Sequence, residues 1–119
     1  MKNKKPKNQQ NQLVIYQTKS GKIEFRGNLD RDTIWGTQQQ IAKLFNTDRT
    51  VVTKHINKIL RDKEIDEKGN VQKMHIANSD KPVKFYSLDV ILAIGYRTNS
   101  SKAIAFRIWA TKTLKQQEK

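Results

Sequence analysis

Thr50, Thr53, Lys54 and Asn57, with Arg49 ahead of them and Lys58 and Arg61 behind, are the residues whose types and spacing point to chemistry in this chain. At 100° per residue, Thr50, Thr53, Lys54, Asn57 and Arg61 share one side of a helix over about residues 49–60, and Arg49 projects from its first turn. Val52, Ile56, Ile59 and Leu60 recur at i, i+4, i+7 and i+8 on the other side, the side a core would cover. The outer side holds hydroxyls, an amide and cations, and no carboxylate. Those groups hydrogen-bond base edges and phosphates in a major groove, whereas Asp or Glu there would be repelled by the phosphates. A polar helix face alone is ordinarily just a solvated one, so the reading depends on what precedes and follows it.

What precedes it is a second, shorter helix. Thr37 is placed to cap a helix starting at Gln38, because its hydroxyl accepts one of the backbone N–H groups that a first turn leaves unpaired. Ile41, Ala42, Leu44 and Phe45 then form one apolar stripe up to residue 45. Asn46-Thr47-Asp48 breaks the pattern, and Asp48 is the expected N-cap of the helix that follows. Two short helices about a three-residue turn outline a helix-turn-helix. Residues 71–76 (VQKMHI) and 81–86 (KPVKFY) read as strands around the turn-forming Ala77-Asn78-Ser79-Asp80, a hairpin in the position of a wing. Gln38, Lys43, Lys58 and Arg61, with Lys73, Lys81 and Lys84 on the wing, are the expected phosphate contacts. Arg49, Thr50, Thr53, Lys54 and Asn57 are the expected base-reading set.

Other chemistries find little support. The chain has no Cys, so thiol nucleophiles, disulfides and thiolate zinc sites are excluded. His55 and His75 lack ligand partners at helical spacing; His55 reads as a packed, hydrogen-bonded residue at the border of the core stripe, and His75 as a surface one. The five Gly are scattered singly and form no phosphate-binding loop. Asp62, Glu64, Asp66 and Glu67 lie in a Lys-interleaved connector without EF-hand spacing and read as solvated. No metal, no cofactor and no enzymatic activity are expected.

The remaining elements must hold these helices in place. Residues 13–17 (LVIYQ) and 22–26 (KIEFR) read as an N-terminal β-hairpin about Thr18-Lys19-Ser20-Gly21, and Ile34-Trp35 as a short extended piece. Ser87 caps a helix over residues 88–96 that is apolar nearly all round and so belongs at the centre. After a break, a last helix over about residues 102–116 brings Ile104, Phe106, Ile108, Trp109 and Leu114. Phe106 and Trp109 read as core, and part of the apolar surface of this helix is available to a second copy or a protein partner. The fold class is therefore α+β: a winged helix-turn-helix-like single domain over residues 13–119, with an N-terminal β-hairpin and a flexible basic arm over residues 1–12.

At 119 residues the chain supports one small domain, and its net charge of +13 attracts polyanions before any specific contact forms. Residues 1–12, 37–61 and 100–119 each carry a net +4, and residues 62–70 are the one acidic patch. Double-stranded DNA is the leading partner. A membrane surface competes, but only the last helix approaches the composition that would require. No apolar run is long enough to span a bilayer or to act as a signal peptide, and a bacterial cytoplasmic, nucleoid-associated protein is expected. A protein-interaction module on the same scaffold, with no direct nucleic-acid role, is the alternative.

Thr33 to Ala42 (TIWGTQQQIA), Leu44-Phe45, Lys54-His55-Ile56, the hairpin leading to Tyr86-Ser87-Leu88-Asp89-Val90-Ile91, Gly95-Tyr96-Arg97 and Phe106-Arg107-Ile108-Trp109-Ala110-Thr111 resemble the N-terminal region of the RhuM family of virulence-associated bacterial proteins. The resemblance extends over about residues 14–114. It implies a DNA-binding protein of genomic-island or mobile-element origin, with no accepted catalytic residues and with members longer than this chain; a sequence-specific transcriptional regulator is the function expected. Gly36 stands where the family pattern leads one to expect a bulkier apolar residue, which predicts looser packing ahead of the first helix.

Overall fold

In the computed structural model, residues 11–28 and 30–117 are described. The expected basic arm lies outside them except for residues 11 and 12, which belong to the first strand. β1 (Asn11–Thr18) and β2 (Gly21–Asn28) form an antiparallel hairpin with eight aligned pairs, from Thr18↔Gly21 to Asn11↔Asn28. Its turn is closed by Thr18, whose hydroxyl donates to Gly21 O at 2.8 Å and accepts from Ser20 N at 3.2 Å. Gly21, at φ 136°, takes a backbone angle that side chains rarely tolerate. β3 (Thr33–Trp35) pairs with the far side of β2, giving the order β1-β2-β3.

The strands alternate as their period requires. Val14, Tyr16, Ile23 and Phe25 face inward, and Leu13, Ile15, Lys22, Glu24 and Arg26 face out. Tyr16 meets the rings of Phe106 and Trp109 at centroid distances of 5.1 and 4.9 Å, and Phe25 lies 5.1 Å from Phe106.

α1 (Gln38–Phe45) starts at a reciprocal cap: Gln40 N donates to the Thr37 hydroxyl at 3.2 Å and Thr37 N to Gln40 Oε1 at 2.8 Å. It stops at Asn46, which turns left-handed at φ 54°. α2 (Arg49–Arg61) begins three residues later. Asp48 stands at its N-cap position, but its carboxylate makes no capping hydrogen bond there, contrary to expectation. Val52, Ile56 and Ile59 are buried, and Leu60 is half-buried.

β4 (Val71–Met74) and β5 (Val83–Tyr86) form the second hairpin, with strands shorter than the sequence pattern suggests. Pro82 has no N–H for a ladder, and Asn78 adopts φ 67°, so residues 75–82 leave the pairing. β5 is joined to the end of β3 by a single bridge, in which Gly36 and Tyr86 exchange backbone hydrogen bonds of 3.0 and 2.8 Å. A Cβ on Gly36 would stand 3.0 Å from the Phe25 ring and 3.3 Å from Ile91 Cδ1, so packing ahead of α1 is tight rather than loosened.

α3 (Leu88–Thr98) opens at Ser87, whose hydroxyl accepts from Val90 N at 3.4 Å. Its residues Val90, Ile91, Ile94 and Gly95 are fully enclosed, while Tyr96 is exposed. α4 (Ser100–Gln117) follows after Asn99 alone. The expected wider break is absent because the Thr98 hydroxyl donates back to Ile94 O at 3.0 Å and Asn99 Oδ1 accepts Lys102 N at 3.3 Å, absorbing these polar groups into the helix ends. Ala103, Phe106, Ala110 and Leu114 face the core, and Trp109 packs half-buried against it. Ile104 and Ile108 are exposed. The whole is one α+β domain.

Candidate nucleic-acid interface

Arg49, Thr50, Lys54 and Asn57 are exposed along α2 as their spacing predicts. Among the described residues none of their side chains enters an ion pair or hydrogen bond. Thr53 differs. It sits half-buried at the edge facing α1, where its hydroxyl is 2.7 Å from Gln38 Oε1 and 3.0 Å from Arg49 O, so its one proton is used inside the protein. Gln38 is committed in turn, its Nε2 donating to the Tyr86 hydroxyl at 3.2 Å. These two residues tie α2, α1 and β5 together and position the exposed residues around them.

The far end of α2 is electrically different. Lys58 Nζ lies 3.1 Å and Arg61 Nε 3.6 Å from the carboxylate of Asp62. The hydrogen bond from Lys58, with the charges of Lys58 and Arg61, holds the Asp62 carboxyl below its ordinary pKa. Free positive charge on α2 is therefore concentrated toward its N-terminal half. His55 is half-buried without a side-chain hydrogen bond among the described residues, contrary to the hydrogen-bonded reading. Burial first, then the cations of Arg97 and Lys54, lower its pKa and favour the neutral ring. Glu64 in the connector pairs with Arg97.

On the β4–β5 hairpin, Lys73 stands directly opposite Lys84. Both are exposed and neither pairs with an acid among the described residues. Like charges facing each other across an antiparallel pair are destabilising. Lys84 shares its face of β5 with Tyr86, and so points the way of Gln38. Lys81 is exposed in the loop before β5.

Beside the start of α2 runs an open groove of about 1090 Å³, walled by β2, the first turn of α1, Arg49 and β5. Of the expected contacts it gathers Gln38, Lys43, Arg49 and Lys84; it also takes in Lys22 and Arg26, which the sequence reading did not single out. Among its described lining residues, five cations against the single carboxylate Glu24 make it positive. Arg26 is held with its guanidinium 4.8 Å from the Phe85 ring centroid, and Lys43 donates to Lys22 O at 3.3 Å. The strand alternation of Lys22, Glu24 and Arg26 marks them as one face of a hairpin. That α1 and the second hairpin lie along the same face is a tertiary fact with no local signal.

Residues 60–118 match the family model described as Virulence protein RhuM family. Over that stretch the chain is similar to RhuM-family proteins. The RhuM match starts at the last two residues of α2 and takes in β4–β5, α3 and α4, so the exposed base-reading candidates and α1 precede it. No curated protein and no solved structure matches the chain. Within the RhuM segment, as in the other described residues, no helix is long and apolar enough to cross a membrane.

Proposed function

We propose that this chain binds duplex DNA as a winged helix-turn-helix protein and serves as a transcriptional regulator of mobile-element origin. In this reading α2 lies in the major groove, Arg49, Thr50, Lys54 and Asn57 meet base edges, and the β4–β5 hairpin is the wing that takes flanking phosphates through Lys73 and Lys84. The observation that carries it is unpaired charge: among the described residues Arg49 and Lys54 are exposed without partners on an acid-free helix face, beside a hairpin that opposes two lysines at a cost in stability. A phosphate backbone supplies the missing counter-charge. Thr53 and Gln38 act here by holding α2 against α1 and β5. Such a protein works in the bacterial cytoplasm, on the nucleoid.

The test is fluorescence anisotropy with a duplex selected from a random pool, over a range of salt. Affinity falls steeply as salt rises, because each neutralised phosphate releases counterions. Lys54→Glu with Asn57→Ala removes two base contacts at roughly 1–3 kcal/mol each and abolishes the selected-site preference. Both side chains are exposed, so the circular dichroism spectrum stays unchanged. A double variant that folds and binds like the parent overturns the proposal. The exposed Ile104 and Ile108 on α4 favour a second reading, a protein-interaction module. That reading is distinguished by retained partner capture from a chain that does not bind duplex even at low salt.

A further inference from the structure

β1 is a free edge of unusual character. Among the described residues no strand pairs with its outer side, and its eight residues, NQLVIYQT, contain no charge and no Pro in a chain of net charge +13. Its pairing with β2 runs unbroken from end to end, without a bulge. Edge strands that remain single are normally blunted by Lys, Pro, bulges or shortness. β1 has none of these, and it exposes Leu13 and Ile15 on one face at 62% and 48%.

We infer that β1 pairs with β1 of a second copy of this chain, antiparallel and centred on Val14, so that two three-stranded sheets become one of six strands. Self-pairing about a two-fold axis normal to the sheet sets residues of the same face opposite each other. Centred on Val14, it places Leu13 against Ile15 of the second copy and Ile15 against its Leu13, a cluster of the four exposed apolar side chains. Centred on Ile15 instead, it would leave each Leu13 facing a Gln17, and a slip of one residue would turn inward side chains outward. The charges fit as well. Leu13 is already paired with Arg26 and Ile15 with Glu24, so each row across the seam reads Arg26, Leu13, Ile15, Glu24, with a cation at one end and a carboxylate at the other. Two strongly basic chains repel each other over most of their surfaces, and the uncharged seam is where they can meet. This inference does not depend on DNA binding.

Light scattering on the purified full chain at tens of micromolar decides the matter. The expected mass is twice the 13.9 kDa of one chain, falling by half in Leu13→Lys/Ile15→Lys with the circular dichroism spectrum unchanged. A monomeric parent overturns the inference. So does a dimer that survives Leu13→Lys/Ile15→Lys but is lost in Ile104→Lys/Ile108→Lys, which would place the interface on α4. Should the β1 lysine variant fail to fold, single-cysteine chains read the register, since the parent has no Cys. A mixture of Leu13→Cys and Ile15→Cys chains cross-links efficiently under mild oxidation, because directly opposed residues lie within disulfide reach; each variant alone is offset by two residues and cross-links several-fold less. Equal cross-linking in all three samples overturns the register, and none in the mixture overturns the seam.

Discussion

Replacing Gly95 by Ala sets two ordinary rules against each other. In the middle of a helix, Ala is favoured over Gly by about 0.5–1 kcal/mol, so propensity alone predicts a more stable protein. Packing predicts the reverse. A Cβ on Gly95 would lie 2.6 Å from Phe45 Cε1, nearer still to Phe45 Cζ, and 2.8 Å from Ala103 Cβ. Phe45 is 2% exposed and Ala103 fully buried, so neither has room to withdraw. Overpacking of this kind costs about 1–3 kcal/mol, and contacts this short belong at the upper end. The net expectation is a loss of about 1–2 kcal/mol. At about 3–6 °C per kcal/mol for a domain of this size, Tm falls by roughly 3–12 °C in differential scanning calorimetry. Repeating the substitution in a Phe45→Leu background isolates the cause, because the cost should shrink once the ring is gone. A Gly95→Ala protein that melts at or above the parent temperature would refute the claim that α1, α3 and α4 converge on the bare backbone at this point.

Lys73→Glu should move stability and affinity in opposite directions. Replacing a like-charge pair with an opposite-charge pair across from Lys84 stabilises the hairpin by about 0.2–1 kcal/mol, read as a higher urea midpoint, while duplex affinity drops at low salt; a variant that loses both or gains both contradicts the role assigned to the wing. His55 gives a pH signature. Because its pKa is lowered on folding, the unfolded chain binds more protons as pH falls through about 6.5, so stability is full above that value and declines below it. His55→Gln should remove that part of the decline between pH 7.5 and 5.5, and urea midpoints that fall equally in parent and variant would exclude the assignment.

The elements that were legible in the sequence are those with local causes. The Thr37 cap and the break at Asn46-Thr47-Asp48 bracket α1, and the 100° pattern of Val52, Ile56 and Ile59 fixes which side of α2 is hidden. Where partners come from far along the chain, local patterns misled or were silent. Gly36 looked like a gap because Phe25 and Ile91, the residues that crowd it, are not its sequence neighbours. Thr53 looked like a free hydroxyl because nothing local shows that Gln38 accepts from it. In α4, Ile104 and Ile108 are as apolar as Phe106, and only the packing of Ala103, Phe106, Ala110 and Leu114 decides which side is covered.

Tyr86 gives its backbone to Gly36 and receives Gln38 on its hydroxyl, while Gln38 in turn accepts from Thr53. One phenol thus works as a keystone between hairpin and helices, and their relative angle is set before any ligand arrives. Lengthening the tip between residues 75 and 82 should then change how far the hairpin stretches but not where it aims. Evolution can retune the span of such a scaffold without rebuilding its frame.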